Sequence, residues 1–245
     1  MPIDLTIAID TSQNMHAHGS ARAIEKAVDR LNRHLRPTDR VSVWTFDSEV
    51  HEVVPMGPPP LRPVNAGPAA LPSALNAALG RVVAPRAGVD RRRMALIFTD
   101  GFNSAGDLTE QEVLDLASRS DITVFSVTRV WRPGISEMMS GFVAQPGVQR
   151  LEFFDQLAAM TGGLAQFVSP GRHWVAPDRS SSGSQVNEDL LDDAFIRALE
   201  EFRSGYVLRY SPMPAPDMGW HQIRVSVTRP GNKYVVRTRS GYRAG

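Results

Sequence analysis

Two short apolar runs, each ending at an aspartate, constrain the fold of this chain more than any other feature. Residues 3–9 (IDLTIAI) lead into Asp10, and residues 94–98 (MALIF) lead through Thr99 into Asp100. Short apolar runs closed by polar turn residues are typical of buried parallel strands. In an open α/β sheet, ligands gather at the carboxyl ends of strands, near the point where the strand order reverses. We therefore expect both aspartates at one edge of a sheet.

Strand and helix signals alternate along the first 169 residues. The pattern predicts an α/β fold, a doubly wound and mostly parallel sheet flanked by helices. Segments 41–46 and 49–54 read as a hairpin that turns at Asp47-Ser48. Thr109 and Glu112 form a capping box that opens a helix. The other predicted elements are helices over 20–35, 71–83 and 151–160, strands over 122–127 and 164–168, and an extended loop over 55–68.

The pattern changes after residue 169. A loop rich in Gly, Ser and Pro is predicted over 170–185, followed by a helix over about 186–202. Three strand-like segments follow, at 206–210, 221–228 and 234–239, with a turn signal at Pro230-Gly231-Asn232. We expect two units: an α/β domain over 1–169, and a C-terminal helix with a small three-stranded antiparallel extension over 170–245 that packs on it.

Composition excludes several classes of function. The 27 Lys and Arg nearly balance the 26 Asp and Glu, and a net charge of +1 argues against nucleic acid or an anionic membrane as the main partner. The absence of cysteine rules out disulfides, thiolate catalysis and zinc–thiolate sites. No apolar run reaches the length of a membrane span, about 18 residues or more.

Enzyme motifs of the doubly wound folds are missing as well. The sequence has neither a P-loop nor a Gly-x-Ser-x-Gly nucleophile elbow. A haloacid-dehalogenase-type phosphotransferase needs a second aspartate two residues after Asp10, where this chain has Ser12. The sequence therefore predicts a protein that is not an enzyme.

The residues around the two aspartates carry the functional prediction. Asp10, Ser12, Asn14 and Asp100 bring hard oxygen atoms to one edge of the sheet, and such atoms suit Mg²⁺ or Mn²⁺. A structural role is the alternative, because strand-end carboxylates also cap turns by accepting hydrogen bonds from backbone N–H groups. Both interpretations remain open on the sequence alone.

These motifs resemble the metal-ion-dependent adhesion site of von Willebrand factor type A (VWA) domains, whose first motif is Asp-x-Ser-x-Ser. The segment DRVSVWTF at 39–46 is similar to a second-strand pattern of the family. The C-terminal segments FRSGYVLRY, IRVSVTRPG and VRTRSGYRA resemble the end of bacterial VWFA-related proteins. With these segments the resemblance covers nearly the whole chain.

The resemblance is incomplete at the metal site. Asn14 stands where the family has its second serine, and an asparagine carbonyl can still ligate a hard cation. The family's threonine, in the loop before the second helix, aligns with Ala69, which offers no ligand. Ser73 is close by in sequence, but we expect it on the helix, where it is a poor substitute for the threonine.

The resemblance implies a protein-binding, adhesion-type module in which bound Mg²⁺ or Mn²⁺ accepts an acidic side chain of a protein partner. The alternative is a metal-free scaffold that binds partners through the loops at 55–68, 131–147 and 170–185. Export to the periplasm or the cell exterior is expected if the chain is a piece of a longer protein of this kind. A cytoplasmic location is expected otherwise, because Met1-Pro2 leads directly into the first strand.

Overall fold

The computed structural model describes residues 1–13, 15, 20–60, 73–86, 90–103, 108–130, 150–168, 188–211, 218–228 and 234–244. Six strands and five helices alternate along most of the described chain, and two short strands follow. In chain order they are β1 (Ile3–Asp10), α1 (Ser20–Arg33), β2 (Arg40–Phe46), β3 (Val50–Gly57), α2 (Leu75–Val83), β4 (Arg92–Thr99), α3 (Glu110–Arg119), β5 (Thr123–Arg129), α4 (Leu151–Thr161), β6 (Leu164–Val168), α5 (Glu188–Ser204), β7 (Gly219–Gln222) and β8 (Gly241–Ala244).

The first six strands form one sheet in the order β3-β2-β1-β4-β5-β6. Neighbouring strands are parallel except at the edge, where β3 runs antiparallel to β2. The chain leaves β1 toward β2 on one side and returns to β4 on the other. The strand order therefore reverses between β1 and β4, which confirms the predicted doubly wound sheet and places its switch point there.

Helices cover both faces of this sheet, and alternate strand residues enter two separate cores. On one face, the odd-numbered residues of β1 and the even-numbered residues of β4 pack with α1 and α5. On the other face, Ala8, Ala95 and Ile97 pack with α2, α3 and α4. All eight residues of β1 are buried; five of them are apolar, and the buried carboxylate of Asp4 is paired with the guanidinium groups of Arg40 and Arg91.

The hairpin and the capping box predicted from the sequence are confirmed. The Asp47 amide donates to the Glu49 carbonyl at 3.0 Å in the turn between β2 and β3. At the start of α3, the Thr109 side chain accepts from the Glu112 amide, while the Glu112 carboxylate accepts from the Thr109 amide at 2.8 Å. Hydrogen bonds between neighbouring residues hold both features, including one from the Glu49 amide to the Asp47 carboxylate at 3.1 Å, which is why the sequence alone could locate them.

The start of α2 was predicted wrongly. The helix begins at Leu75 and not near residue 71, so Ser73 lies before the helix. The reason is a contact that is distant in sequence. The Ala74 amide donates to the Asp47 carbonyl in the β2–β3 turn, which holds the backbone before α2 in a non-helical conformation.

The C-terminal extension also differs from the prediction of three strands. Its sheet has two antiparallel strands, with Gly219 opposite Ala244 and Gln222 opposite Gly241. The structure assigns no strand or helix to residues 206–210, 223–228 and 234–239. Their β-prone composition suits a strand, but a short strand is stable only with partners in a sheet, which composition alone does not supply.

The extension meets the core at the amino ends of the central strands. The Ser240 amide donates to the Ala159 carbonyl at 3.2 Å, and Arg239 donates to the Ala117 carbonyl at 3.1 Å. Nearby, the carboxylate of Asp39 accepts from the amides of Ile3 and Arg36 and from the Arg203 guanidinium. None of the described helices has the length and apolar character needed to cross a membrane.

Candidate metal-binding site

The register of β1 and β4 sets the position of the two aspartates. Ile9 pairs with Phe98, so Asp10 lies beside Thr99 and Asp100 lies one residue further along the next strand. Both carboxylates are almost fully enclosed, with 1% of Asp10 and 2% of Asp100 exposed. The structure thus brings the two residues to one edge of the sheet at its switch point, as the sequence predicted.

Neutral donors surround the Asp10 carboxylate. Its Oδ1 atom accepts from the Ser12 amide at 2.9 Å. Its Oδ2 atom accepts from the Thr99 hydroxyl at 2.6 Å and from the Ser73 hydroxyl at 3.3 Å. The three donors come from three different loops or strand ends. The Asp10 carboxylate therefore links these three segments at the switch point.

Asp100 caps its own turn. Its Oδ1 atom accepts from the Phe102 amide at 3.2 Å. Gly101, between them, has a φ of 80°, a left-handed conformation that glycine adopts without the steric cost of a side chain. The alternative prediction, that the two carboxylates cap turns, is therefore correct in part. Each aspartate accepts a hydrogen bond from a backbone N–H of the turn that follows it.

Ser12 has a buried hydroxyl that lacks a hydrogen-bond partner among the described residues. The residue is 3% exposed. A buried polar atom without a partner costs about 1–3 kcal/mol, so such an atom calls for an explanation. The hydroxyl lies near enough to the Asp10 carboxylate to lower the pKa of that carboxyl, and a cation between them would supply the missing interaction.

Sequence reasoning missed two hydroxyl groups of this site. Thr99 directly precedes Asp100 in the second motif but was not predicted as a site residue, and Ser73 was expected on the helix. Both are buried and both donate to Asp10. A signal for Ser73 was present, because Ser73-Ala74-Leu75 places a hydroxyl directly before the apolar residues that begin α2.

Two of the proposed positions cannot be placed. Asn14, predicted as a ligand, and Ala69, aligned with the family threonine, both lie outside the described residues. The same is true of most of the loops at 55–68, 131–147 and 170–185. The Ser73 hydroxyl nevertheless reaches the site, so a hydroxyl stands in the loop before α2 whatever the position of Ala69.

A second set of contacts fixes the loops that carry these residues. The Asn103 side chain accepts from the Asn76 amide at 3.0 Å, near the amino end of α2. The Asn76 side chain donates to the Leu108 carbonyl at 2.8 Å. The loop after β4 and the start of α2 are thereby joined, and the positions of Ser73 and Asp100 depend on each other.

Burial raises the pKa of the Asp10 carboxyl above its ordinary value. Removal from water is the largest cause, and the hydrogen bonds from Thr99, Ser12 and Ser73 act in the opposite direction. None of these donors carries a formal charge, so the ionised carboxylate remains costly where it lies. A divalent cation would stabilise the ionised form.

The residues present fit a hard cation and not a softer metal. Oxygen atoms from carboxylates and hydroxyls are the ligands preferred by Mg²⁺ and Mn²⁺. Within the described part of the chain, no group of three or more His, Cys, Asp or Glu side chains could hold a metal ion. Any cation at this edge would therefore depend on two carboxylates, on hydroxyls and on water.

Comparison with known proteins identifies the class of fold and then the family. A model of the von Willebrand factor type A domain matches residues 4–157. The match spans more than half of the sequence, and the chain belongs to the von Willebrand factor type A family. Domains of this family are in general protein-interaction modules, often with a metal-ion-dependent adhesion site, and not enzymes. Among curated proteins, none matches this sequence.

Solved structures show the same fold at low sequence identity. The ArnB paralog VWA2 from Sulfolobus acidocaldarius has a TM-score of 0.52 at 12% identity, covering 68% of this chain and 41% of its own. A von Willebrand factor type A protein from Catenulispora acidiphila has a TM-score of 0.50 at 14% identity, covering 80% and 41%. Proximal thread matrix protein 1 from the mussel byssus, with a zinc-occupied MIDAS motif, has a TM-score of 0.52 at 10% identity, covering 80% and 46%. The chain thus spans less than half the length of each of these structures.

Proposed function

We propose that this chain is a protein-binding module whose switch-point edge holds a divalent cation, Mg²⁺ or Mn²⁺, and presents it to a partner. The residues proposed to surround the cation are Asp10, Ser12, Ser73 and Asp100, with Asn14 as a further candidate. The observation that carries the proposal is the buried Ser12 hydroxyl, which lies beside the Asp10 carboxylate but forms no well-aligned hydrogen bond to a described residue. Burial also raises the pKa of that carboxyl. A cation would relieve both unfavourable features at once.

The proposed partner chemistry follows from the ligand count. Two carboxylates leave a divalent cation short of the oxygen ligands it needs, and water or an incoming group must supply the rest. An acidic side chain of a partner protein is the best such group, because it adds charge as well as an oxygen. Structural similarity to a mussel protein with a zinc-occupied MIDAS motif supports the placement of the cation and not its identity.

A metal-free scaffold is the second candidate, and one observation favours it. The Asp10 carboxylate already accepts three hydrogen bonds, and Asp100 accepts one from the Phe102 amide. In this alternative the edge is a polar network that fixes the loops, and partner binding does not respond to chelators.

Thermal unfolding with and without cation separates the two candidates. Ligand binding to the native state raises the unfolding midpoint as cation concentration exceeds the dissociation constant. We expect Mg²⁺ or Mn²⁺ to raise the midpoint relative to EDTA in the wild type and to have no effect in Asp100→Ala. An unchanged midpoint at millimolar cation in the wild type would eliminate the metal-bound form.

A matched pair of serine variants tests the role assigned to Ser73. Ser73→Ala removes a hydroxyl that contacts Asp10, whereas Ser126→Ala removes an equally buried hydroxyl on β5 that has no partner among the described residues. The cation-induced shift is expected to shrink in the first variant and to remain in the second. Equal shifts in both would remove Ser73 from the site.

A further inference from the structure

The charges of this chain are unevenly distributed. The residues after α5, 205–245, contain seven Arg and Lys and a single acidic residue, Asp217. The preceding 204 residues contain 20 basic and 25 acidic residues, so the small net charge of the whole chain conceals a basic extension on an acidic body. Such an uneven distribution of charge bears on which partners the chain can bind and not on its fold.

This basic extension contains an exposed stretch of β-prone side chains without regular secondary structure, residues 206–211 (YVLRYS). Tyr206 is 92% exposed, Leu208 68% and Tyr210 58%. The three alternate along the segment, so an extended backbone would place them on one side. The Tyr210 ring contacts the Tyr242 ring with centroids 6.5 Å apart, so the stretch lies beside β8.

The backbone of residues 206–211 makes no hydrogen bonds to other described residues. A row of unpaired N–H and C=O groups is the surface on which a further strand can be added. Arg209 lies in the middle of this row. Its guanidinium is paired with Asp90 at 3.6 Å, but both side chains are exposed, and such surface pairs contribute little.

We propose that residues 206–211 are a docking strand onto which a partner protein adds an extended, acidic segment. The added strand would satisfy the backbone groups, cover Tyr206, Leu208 and Tyr210, and place carboxylates near Arg209. A lipid surface fits less well, because it would leave the backbone groups without partners. The same segment of a second copy fits less well too, because the two extensions carry the same charge.

This surface is separate from the proposed cation site. Residue 205 contacts Arg92 at the start of β4, and Arg209 contacts Asp90 just before it. The docking strand therefore lies at the amino ends of the strands, whereas Asp10 and Asp100 lie at the carboxyl ends. Failure of one proposal would leave the other unaffected.

Binding of synthetic peptides to the full chain tests the proposal. The probe is a short fluorescent peptide of alternating valine and glutamate, followed by fluorescence anisotropy at two salt concentrations. We expect this peptide to bind and to bind more weakly at high salt. The same peptide with lysine in place of glutamate, or with alternate amides methylated, is expected not to bind. Binding of the methylated peptide with equal affinity, or no binding of the parent peptide, would overturn the proposal.

Variants of the chain supply the second half of the test. Leu208→Pro removes a backbone N–H from the docking strand, and Arg209→Glu reverses its charge; each is expected to weaken peptide binding about tenfold or more. Arg81→Glu reverses an exposed charge at the end of α2 and serves as the control. Because residues 206–211 are exposed, Leu208→Pro and Arg209→Glu are expected to keep the wild-type unfolding midpoint. Peptide binding that is the same in all variants, or tighter binding to anionic vesicles or to single-stranded DNA than to the peptide, would overturn the proposal.

Discussion

At the scale of single residues, the Thr99 hydroxyl links two segments at the edge of the sheet. Its hydroxyl donates to Asp10 Oδ2 at 2.6 Å and accepts from the Gly101 amide at 3.0 Å. One side chain therefore connects the end of β1 with the turn after β4. Thr128 lies opposite Thr99 in the register of β5 and is equally buried, but its hydroxyl has no partner among the described residues.

This contrast gives a matched pair of variants. Thr99→Val keeps the shape but removes both hydrogen bonds, one of them to a carboxylate, and is expected to lower the free energy of unfolding by about 2 kcal/mol. Thr128→Val removes a hydroxyl that makes no hydrogen bond to the described residues, and is expected to be neutral or stabilising. Urea unfolding of the two variants measures the difference. Equal losses in both would show that the Thr99 contacts contribute nothing.

A second residue-scale prediction concerns pH. Because burial raises the pKa of Asp10, the folded state keeps this proton to a higher pH than the unfolded state does. The contribution of Asp10 to stability therefore falls as pH rises from about 4, the ordinary carboxyl pKa, through the raised value. Asp10→Asn cannot titrate. Its Oδ1 can still accept from the Ser12 amide, and its Nδ2 can donate to the two hydroxyl oxygens.

Without cation, Asp10→Asn is thus expected to unfold a few degrees above the wild type at neutral pH, and the difference should vanish below about pH 4. The measurement is the unfolding midpoint in EDTA across the pH range. Asp155→Asn, at an exposed position on α4, makes the same charge change and serves as the control. A wild type that gains stability over Asp10→Asn as pH rises would contradict the sign of this argument.

At the scale of elements, the turn from α4 into β6 is the tightest junction. Gly162 ends α4 with a φ of 80°, and Gly163 follows. A Cβ atom on Gly163 would overlap the backbone carbonyl of Val124 on β5, which cannot move without breaking the sheet. A Cβ atom on Gly57, at the end of β3, would make only an ordinary contact, 3.6 Å from the Pro55 carbonyl.

Gly163→Ala is therefore expected to cost several kcal/mol, on the order of 3 or more, or to abolish folding, while Gly57→Ala is expected to be nearly neutral. Circular dichroism and denaturant unfolding of the two proteins provide the comparison. A Gly163→Ala protein as stable as the wild type would show that α4 and β5 are less closely packed than described.

The elements also show how far sequence reasoning reaches. The apolar runs of β1 and β4 and the capping box at Thr109 depend on neighbouring residues, and they were predicted correctly. The start of α2 depends on the Ala74–Asp47 contact, and the position of Ser73 depends on that start. Sequence patterns do not contain such contacts, so the two aspartates were found and the two hydroxyls around Asp10 were missed.

At the scale of the whole molecule, α5 completes the core although it lies beyond the part of the chain that the family model matches. Its buried side chains pack against the sheet on the same face as α1; they include Leu191, Phe195, Leu199 and Phe202. Burial of a large apolar side chain contributes about 1.5–3 kcal/mol, so these four together contribute about 6–12 kcal/mol. That is comparable with the whole stability of a typical domain, about 5–15 kcal/mol.

Two truncations test this estimate. A chain that ends after residue 204 keeps α5 and is expected to unfold cooperatively, whereas a chain that ends after residue 187 is expected to be unfolded or insoluble. The first also lacks the docking strand and should not bind the acidic peptide. Solubility and cooperative thermal unfolding distinguish the two chains. A well-folded product from the shorter chain would show that α5 is not part of the core.

The contacts of Asp39 set an order of events during synthesis. This carboxylate accepts from the Ile3 amide and, 164 residues later in the chain, from Arg203 near the end of α5. A ribosome makes all six strands of the main sheet before it makes α5, which with α1 covers one of their faces. For that interval the growing polypeptide exposes an uncovered apolar surface, and its dependence on chaperones should be greatest just before α5 emerges.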